Sequence, residues 1–331
     1  MGGLVGSHRA KDAAMSGGDL VSLRVSLIVP TYAFERIPLL IECVNSLMAQ
    51  SYPKTEIVVT VDRNEQLAAK LRQILPQKVA VILSSKAGLS EARNTGASHA
   101  TGEIVAYIDD DAVPDACWVE KLVRNYQDPH VLAVGGRVEP IWPGRQPRWI
   151  TESLYWIIGC SYGGLPDVKR QVRNPFGGNM SHRREVLNVI RFKSTLGRTL
   201  SRRRTLSDDE TEFCINLSRV FPHGKIVYDP EAIVRHYIPI QRLSPTYFAK
   251  RAFREGLSKA MICRLYGFAS LADERKYLRH AACELVTSKK WRVSKPYDLV
   301  LSFSQIMAFL VVLCATVFGF IIGNLRANIW D

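Results

Sequence analysis

The seven cysteines of this 331-residue chain, at 43, 117, 160, 214, 263, 283 and 314, form no Cys-x-x-Cys pair and no metal-ligand spacing. That absence excludes a disulfide framework and a cysteine zinc site, and it suits a reducing compartment. The first twenty residues are rich in Gly, Ala and Ser but lack an apolar run long enough for a signal h-region, so residues 1–23 read as a loose tail and secretion by that route is not expected. Internal repeats and low-complexity tracts are missing too. The apolar and charged fractions, 47% and 23%, are those of a globular protein large enough for one sizeable α/β core with additions.

Acid is scarce in the second half. The net charge is +13, and residues 168–205 hold eleven Lys and Arg against one Glu, while residues 242–295 hold thirteen against four acids. Such a surface suits phosphate groups, anionic lipid or nucleic acid. The end of the chain favours lipid: from Leu299 to Asn324 there are 26 residues without a charge, long enough to cross a hydrocarbon core. A buried or re-entrant helix has the same signature. Lys289, Lys290, Arg292 and Lys295 precede the run and only Arg326 and Asp331 follow it, so the positive-inside rule predicts a single pass with the preceding domain cytoplasmic. No recognised nucleic-acid motif accompanies the basic segments, and no nucleic-acid partner is expected.

The first half alternates apolar β-branched runs (Val25–Val29, Glu56–Val61, Val79–Leu83, Ile104–Ile108) with helix-length amphipathic segments (Ile37–Gln50, Glu65–Leu75, Leu89–Ala100). This is the pattern of an α/β fold with a mainly parallel central sheet. Ligands gather beyond the carboxyl ends of such strands, which singles out Pro30, Thr31, Asp62 and Asp109–Asp111. Three consecutive carboxylates closing a buried strand carry concentrated like charge, and a divalent cation would relieve it. Asp109 and Asp111, two apart, can face the same way toward a hard cation that also binds a diphosphate. An Asp-rich turn capping the next helix would give the same letters. A second acidic group, Ser207-Asp208-Asp209-Glu210-Thr211-Glu212, opens a helical pattern; it serves either the helix dipole or general-base chemistry.

Four ordered blocks resemble family 2 glycosyltransferases: Val-Ser-Leu-Ile-Val-Pro-Thr-Tyr (25–32), Glu-Ile-Val-Val-Thr-Val-Asp (56–62), Gly-Leu-Ser-Glu-Ala-Arg-Asn-Thr-Gly (88–96) and Ile-Asp-Asp-Asp-Ala (108–112). Asn-Pro-Phe-Gly-Gly-Asn (174–179), the acidic group and Tyr-Asp-Pro-Glu-Ala-Ile-Val-Arg-His (228–236) continue the likeness over about residues 24–265. Within the family it resembles enzymes that extend lipid-linked glycans, including glucuronosyltransferases acting on glucosyl-dolichyl phosphate. The resemblance implies a GT-A domain at 24–265, with a donor half to about 140 and an acceptor half after it, then a basic juxtamembrane segment (266–298) and the apolar helix (299–324).

By position, the resemblance implies that Pro30, Thr31 and Asp62 hold the nucleotide base, that Arg93 approaches base or diphosphate, and that Asp109 and Asp111 are the DxD pair for Mg²⁺ or Mn²⁺, with Asp109 also on the nucleotide side. His236 would complete the metal site or serve as a structural histidine. Gly177, Gly178 and Asn179 would floor the sugar and acceptor site. The family presents Glu-Asp before Thr-Glu where this chain has Asp209-Glu210: Asp209 keeps an Asp with a small shift, Glu210 holds the aligned place, and the base is one of the two. Arg183, Arg184 and Arg202–Arg204 flank the acceptor region, where guanidinium forks suit phosphates or a donor carboxylate. The expected partners are a UDP-sugar or other nucleotide-sugar, a lipid-linked or glycan acceptor, and the membrane. A polyprenyl-phosphate sugar synthase of the same fold, and a non-catalytic glycan-binding module, are the rival readings.

Overall fold

The structure is a computed structural model describing residues 23–196, 206–287 and 296–325. The N-terminal tail, Arg202–Arg204 and the basic residues 289–295 lie outside the described residues. The half expected to bind the donor reads β1 (Val25–Thr31), α1 (Ile37–Met48), β2 (Thr55–Asp62), α2 (Glu65–Ile74), β3 (Val79–Ser84), α3 (Leu89–His99) and β4 (Ile104–Ile108). Each strand begins within a residue of its apolar run. The helices stop one or two residues short of the amphipathic pattern, because Ala49, Leu75 and Ala100 leave the helical conformation.

β3, β2, β1 and β4 pair in parallel in that order, and their side chains are covered on both faces by the helices. Here the expected alternation holds. After β5 (Ala112–Pro114) and α4 (Trp118–Val123), the half expected to bind the acceptor adds β6 (Val131–Ile141), α5 (Tyr155–Ile158), β7 (Arg170–Gln171), β8 (Asn179–Arg183), α6 (Asp209–Val220) and β9 (Lys225–Tyr237). β8 inserts beside β4 in the antiparallel sense, β6 pairs antiparallel to β8, and β9 is parallel to β6. The sheet therefore continues past the parallel half to nine strands. β6 can approach β9 closely because Gly136 has no side chain: a Cβ there would lie 1.8 Å from the Ala232 carbonyl oxygen.

The direction of β8 decides the fate of its arginines. Asn179 faces Ile108 at the site end of β4, whereas Arg183 faces Ile104 at the opposite end. Arg183 donates to the carbonyls of Val131 and Tyr126 at 2.9 and 2.8 Å, and Arg184 donates to that of Ala100. These two arginines brace the far edge of the sheet and do not flank the acceptor region, contrary to expectation.

The chain ends in three helices, α7 (Pro245–Tyr266), α8 (Ala272–Thr287) and α9 (Pro296–Leu325). Ser244 caps α7 by accepting from Tyr247 N, and Pro245 starts its first turn. Within α9, Val300–Leu325 reaches a mean hydropathy of 2.7 over its most apolar 18 residues and is a candidate membrane span by length and composition. Its inner face shares a core with Trp149, Leu154, Phe248 and Ala252.

Candidate active site

The carboxyl ends of β1, β2 and β4 meet at the site the sequence pointed to. Asp62, at the end of β2, accepts from Gly88 N at 3.0 Å through Oδ2, while its buried Oδ1 has no hydrogen-bond partner in the protein. Burial raises its pKa, with the Gly88 amide acting in the opposite direction. An acceptor oriented this way suits the N–H of a nucleobase. Pro30 and Thr31 are buried in β1. Thr31 spends its hydroxyl inward, donating to Asp110 Oδ2 at 2.6 Å.

The three aspartates lie in the turn between β4 and β5, closed by Ala112 N donating to Asp109 O at 3.1 Å, and their side chains part there. Asp110 turns inside: Thr31 and the Arg36 guanidinium hold it, with Arg36 Nε 2.8 and 2.7 Å from its two oxygens. Burial pushes the Asp110 carboxyl up, against the pull of Arg36. Asp109 and Asp111 turn the other way, and their oxygens lie with a His236 ring nitrogen within 4.8 Å of one another. The side chain of Asp109 is 37% exposed, whereas Asp111 is sealed between Arg36 Nη2 at 2.8 Å and His236 Nε2 at 3.2 Å. Burial opposes ionisation of Asp111, but His236 and Arg36 outweigh it and hold the carboxyl well below the usual carboxylate range. Two hard oxygens and one imidazole nitrogen make a donor set that fits Mg²⁺ or Mn²⁺. Arg36 is not among the residues singled out above, because an ion pair across 74 residues has no local signature.

Glycines close the floor. A Cβ on Gly178 would stand 2.6 Å from Asp109 Oδ2, and one on Gly177 would stand 2.7 Å from Arg93 Nη2. The loop passes so near these charged groups that only glycine leaves them in place. The Asn179 side chain faces away, spent on Trp118 Nε1, at 2.8 Å, and on the carbonyls of Arg137 and Ala232. Asn179 is thus a bracket under the floor.

Arg93, on α3, is buried and joins the two acidic clusters. Its Nη1 donates to Asp209 Oδ2 at 2.9 Å, and its Nη2 lies 3.8 Å from Asp109 Oδ1. Ser90 also donates to Asp209, at 3.1 Å. Burial works against ionisation of Asp209, yet Arg93 prevails and its pKa is lowered. Its neighbour goes the other way: burial, then the charges of Asp209 and Asp208, push Glu210 up to about 8. Glu210, half-buried, lines a cavity of about 840 Å³ bounded by Trp156, Tyr162, Arg173, Arg251, Tyr277 and the α9 residues Phe309 and Val312. Asp209 lies outside that lining. Two adjacent carboxyls thus hold unlike environments, one a fixed anion and the other a group that exchanges a proton near neutral pH.

Before this pair, Asp208 adopts the left-handed conformation with φ at 72°. Lys259 of α7 anchors it at 2.9 Å and also reaches Glu255 and Glu274 at 3.1 and 3.0 Å. The turn that presents Glu210 is therefore pinned from the C-terminal helices.

The glycosyl transferase family 2 profile matches residues 26–191. The glucosyl-dolichyl phosphate glucuronosyltransferase of Haloferax volcanii is 32% identical over 312 residues, covering 93% of this chain and 98% of its own length. The succinoglycan biosynthesis protein ExoM of Rhizobium meliloti is 27% identical over 245 residues, covering 71% of this chain and 74% of its own. Among solved structures, the mannosyltransferase PcManGT of Pyrobaculum calidifontis, in complex with GDP-Man and Mn²⁺, superposes with a TM-score of 0.55 at 20% identity, over 93% of this chain and 88% of that one. With the parallel donor half, the paired aspartates and the acidic helix start in place, this chain belongs to glycosyl transferase family 2 and is a glycosyltransferase with a GT-A fold.

Proposed function

We propose that the enzyme transfers a single sugar, with inversion, from a UDP-sugar to a lipid-linked acceptor at the cytoplasmic face of a membrane. The observation that carries this reading is the division of labour between Asp209 and Glu210 beside the cavity. Glu210 takes the proton of the acceptor hydroxyl, and Asp209 keeps Arg93 charged and in place next to Asp109. The hydroxyl oxygen then attacks the anomeric carbon on the face opposite the departing diphosphate, which inverts that centre. Asp62 receives the base of the nucleotide through its unpartnered oxygen, and Gly177 and Gly178 let the donor sugar approach the backbone.

Asp109, Asp111 and His236 would hold Mg²⁺ or Mn²⁺, and the buried His236 Nδ1 has no hydrogen-bond partner, so the ring is not committed elsewhere through that atom. When bound, such an ion supplies Lewis-acid neutralisation of the diphosphate charge. The acceptor class comes from the Haloferax relative, whose name specifies glucosyl-dolichyl phosphate, and it agrees with a cavity whose wall is partly the apolar α9. The same relative makes a glucuronosyl donor the first to try.

The test is calorimetric titration of UDP, GDP and dTDP, with and without Mn²⁺, beside Asp111→Ala. UDP binding that needs Mn²⁺ and is lost in the variant supports the reading. Binding of GDP or dTDP in place of UDP overturns the donor, and no nucleotide binding at all overturns the catalytic assignment.

A further inference from the structure

α9 has two faces of opposite character. On one, Ala315, Gly319 and Gly323 recur every fourth residue, as do Ala252, Gly256 and Ala260 on α7. A Cβ on Gly256 would stand 2.0 Å from Thr316 O, one on Gly319 2.1 Å from Phe253 O, and one on Gly323 2.6 Å from Ala260 Cβ. The two backbones are therefore in contact, the packing that small residues at this spacing permit. Phe248 shares a core with Phe309 near one end and Arg264 Nη2 donates to Asn324 O at 2.6 Å near the other, so α7 and α9 run side by side in the same direction. On the opposite face, Val300, Phe303, Met307, Leu310, Val317 and Ile321 form an exposed apolar stripe at helical spacing.

The level at which α9 meets the domain matters more than its length. Phe309, Val312 and Thr316, through the middle of the uncharged run, wall the same cavity as Glu210. Beside them α7 carries exposed Lys250 and Arg254 and, on its inner side, Lys259 bonded to Asp208 at the active-site turn. A helix crossing a bilayer upright at these residues would draw those charges and the acid cluster to hydrocarbon depth, where ionised side chains are strongly disfavoured.

We propose that α9 lies lengthwise in the interfacial layer of an anionic bilayer, stripe inward, in place of the single crossing that its length suggests. The occupant of the stripe is lipid: the stripe runs the length of a helix with the hydropathy of a membrane segment, and α7, packed on its other face, carries exposed Lys250, Arg254 and Arg264. This rests on the membrane location proposed above. The cavity then stands at the headgroup level, and an amphiphilic acceptor reaches Glu210 without leaving the bilayer.

Topology tests this without any turnover. In the full chain expressed in bacterial inner membranes, one epitope is placed at the surface loop near Gly144 and a second after Asp331. Cleavage of both from the same side of oriented vesicles is expected; opposite sides would overturn the proposal. Single spin labels at Phe303→Cys, Cys314 and Ile321→Cys, in chains otherwise free of exposed cysteine, should report one common depth in phosphatidylglycerol-containing vesicles. A depth maximum at 314 would also overturn it, as would failure to bind vesicles with a lipid-free dimer covering the stripe. An enzyme that uses another donor, or none, leaves these readouts unchanged, so this inference and the proposed chemistry fail separately.

Discussion

Arg93 is bonded to Asp209 at 2.9 Å and stands 3.8 Å from Asp109, so one buried guanidinium couples the paired aspartates after β4 to the acidic start of α6. The two residues after Asp208 should then respond differently to loss of charge. Glu210→Gln is expected to lower kcat by about 10²–10⁴-fold, the worth of a positioned general base, with nucleotide binding retained. Asp209→Asn should instead lower the melting temperature, because leaving a buried cation without its partner costs about 3–5 kcal/mol. Steady-state kinetics and thermal unfolding of both variants decide the assignment. The reverse pattern would make Asp209 the base.

The pH profile follows from the same pair. A base works only when deprotonated, and Glu210 is held up to about 8, so kcat/KM should rise with pH through that region and level off above it. Glu210→Asp should shift the limb. The stability consequence has the opposite sign to that of an ordinary salt-bridged carboxylate. A carboxyl whose pKa is raised on folding keeps its proton in the native state. The contribution of Glu210 to stability is therefore greatest below the unfolded value of about 4.3 and falls as pH rises from there through about 8. Glu210→Gln, which cannot ionise, should unfold at a higher temperature than the parent at pH 9, and equal melting temperatures would argue against a raised pKa.

Removing a ligand of the cation site should separate metal from nucleotide. His236→Ala is expected to weaken Mn²⁺-dependent nucleotide binding by at least about tenfold. Binding measured in EDTA should be the same for parent and variant. Equal Mn²⁺ dependence in the two would make His236 a structural partner of Asp111.

Gly178→Ala tests the floor. The added methyl would come within 2.6 Å of Asp109 Oδ2, the free end of a side chain, so the carboxylate swings away and folding is little affected. Metal-dependent nucleotide binding should fall while the melting temperature holds. Gly136→Ala meets backbone at 1.8 Å instead and should destabilise by about 1–3 kcal/mol or more.

Much of the donor half was legible in the sequence because its signals are local. Strands such as Ile104–Ile108 are apolar runs, and the two-residue spacing of Asp109 and Asp111 states their common direction. The bounds of α7, Pro245–Tyr266, are also set locally, by Ser244-Pro245 at its start and Gly267 at its end. What escaped was relational. Nothing in Asn179–Arg183 announces an antiparallel strand beside β4, and so Arg183 was placed at the wrong end of the sheet. Asp110 looks like its neighbours until Arg36, in the turn just before α1, reaches it. The choice between Asp209 and Glu210 needed Arg93, which lies 116 residues away from Asp209.

The glycine-to-backbone contacts between α7 and α9 carry a practical consequence. Deleting an apolar terminal helix is a common way to obtain a detergent-free enzyme, and here it would uncover Ala252, Gly256 and Ala260, a groove shaped for a neighbouring backbone and ill suited to water. It would also remove Phe309 and Val312 from the core that supports Phe248, on the helix whose Lys259 pins the turn before Glu210. The truncated protein would gain solubility in name only: purification would trade a lipid requirement for aggregation, and turnover would drop even on a water-soluble acceptor.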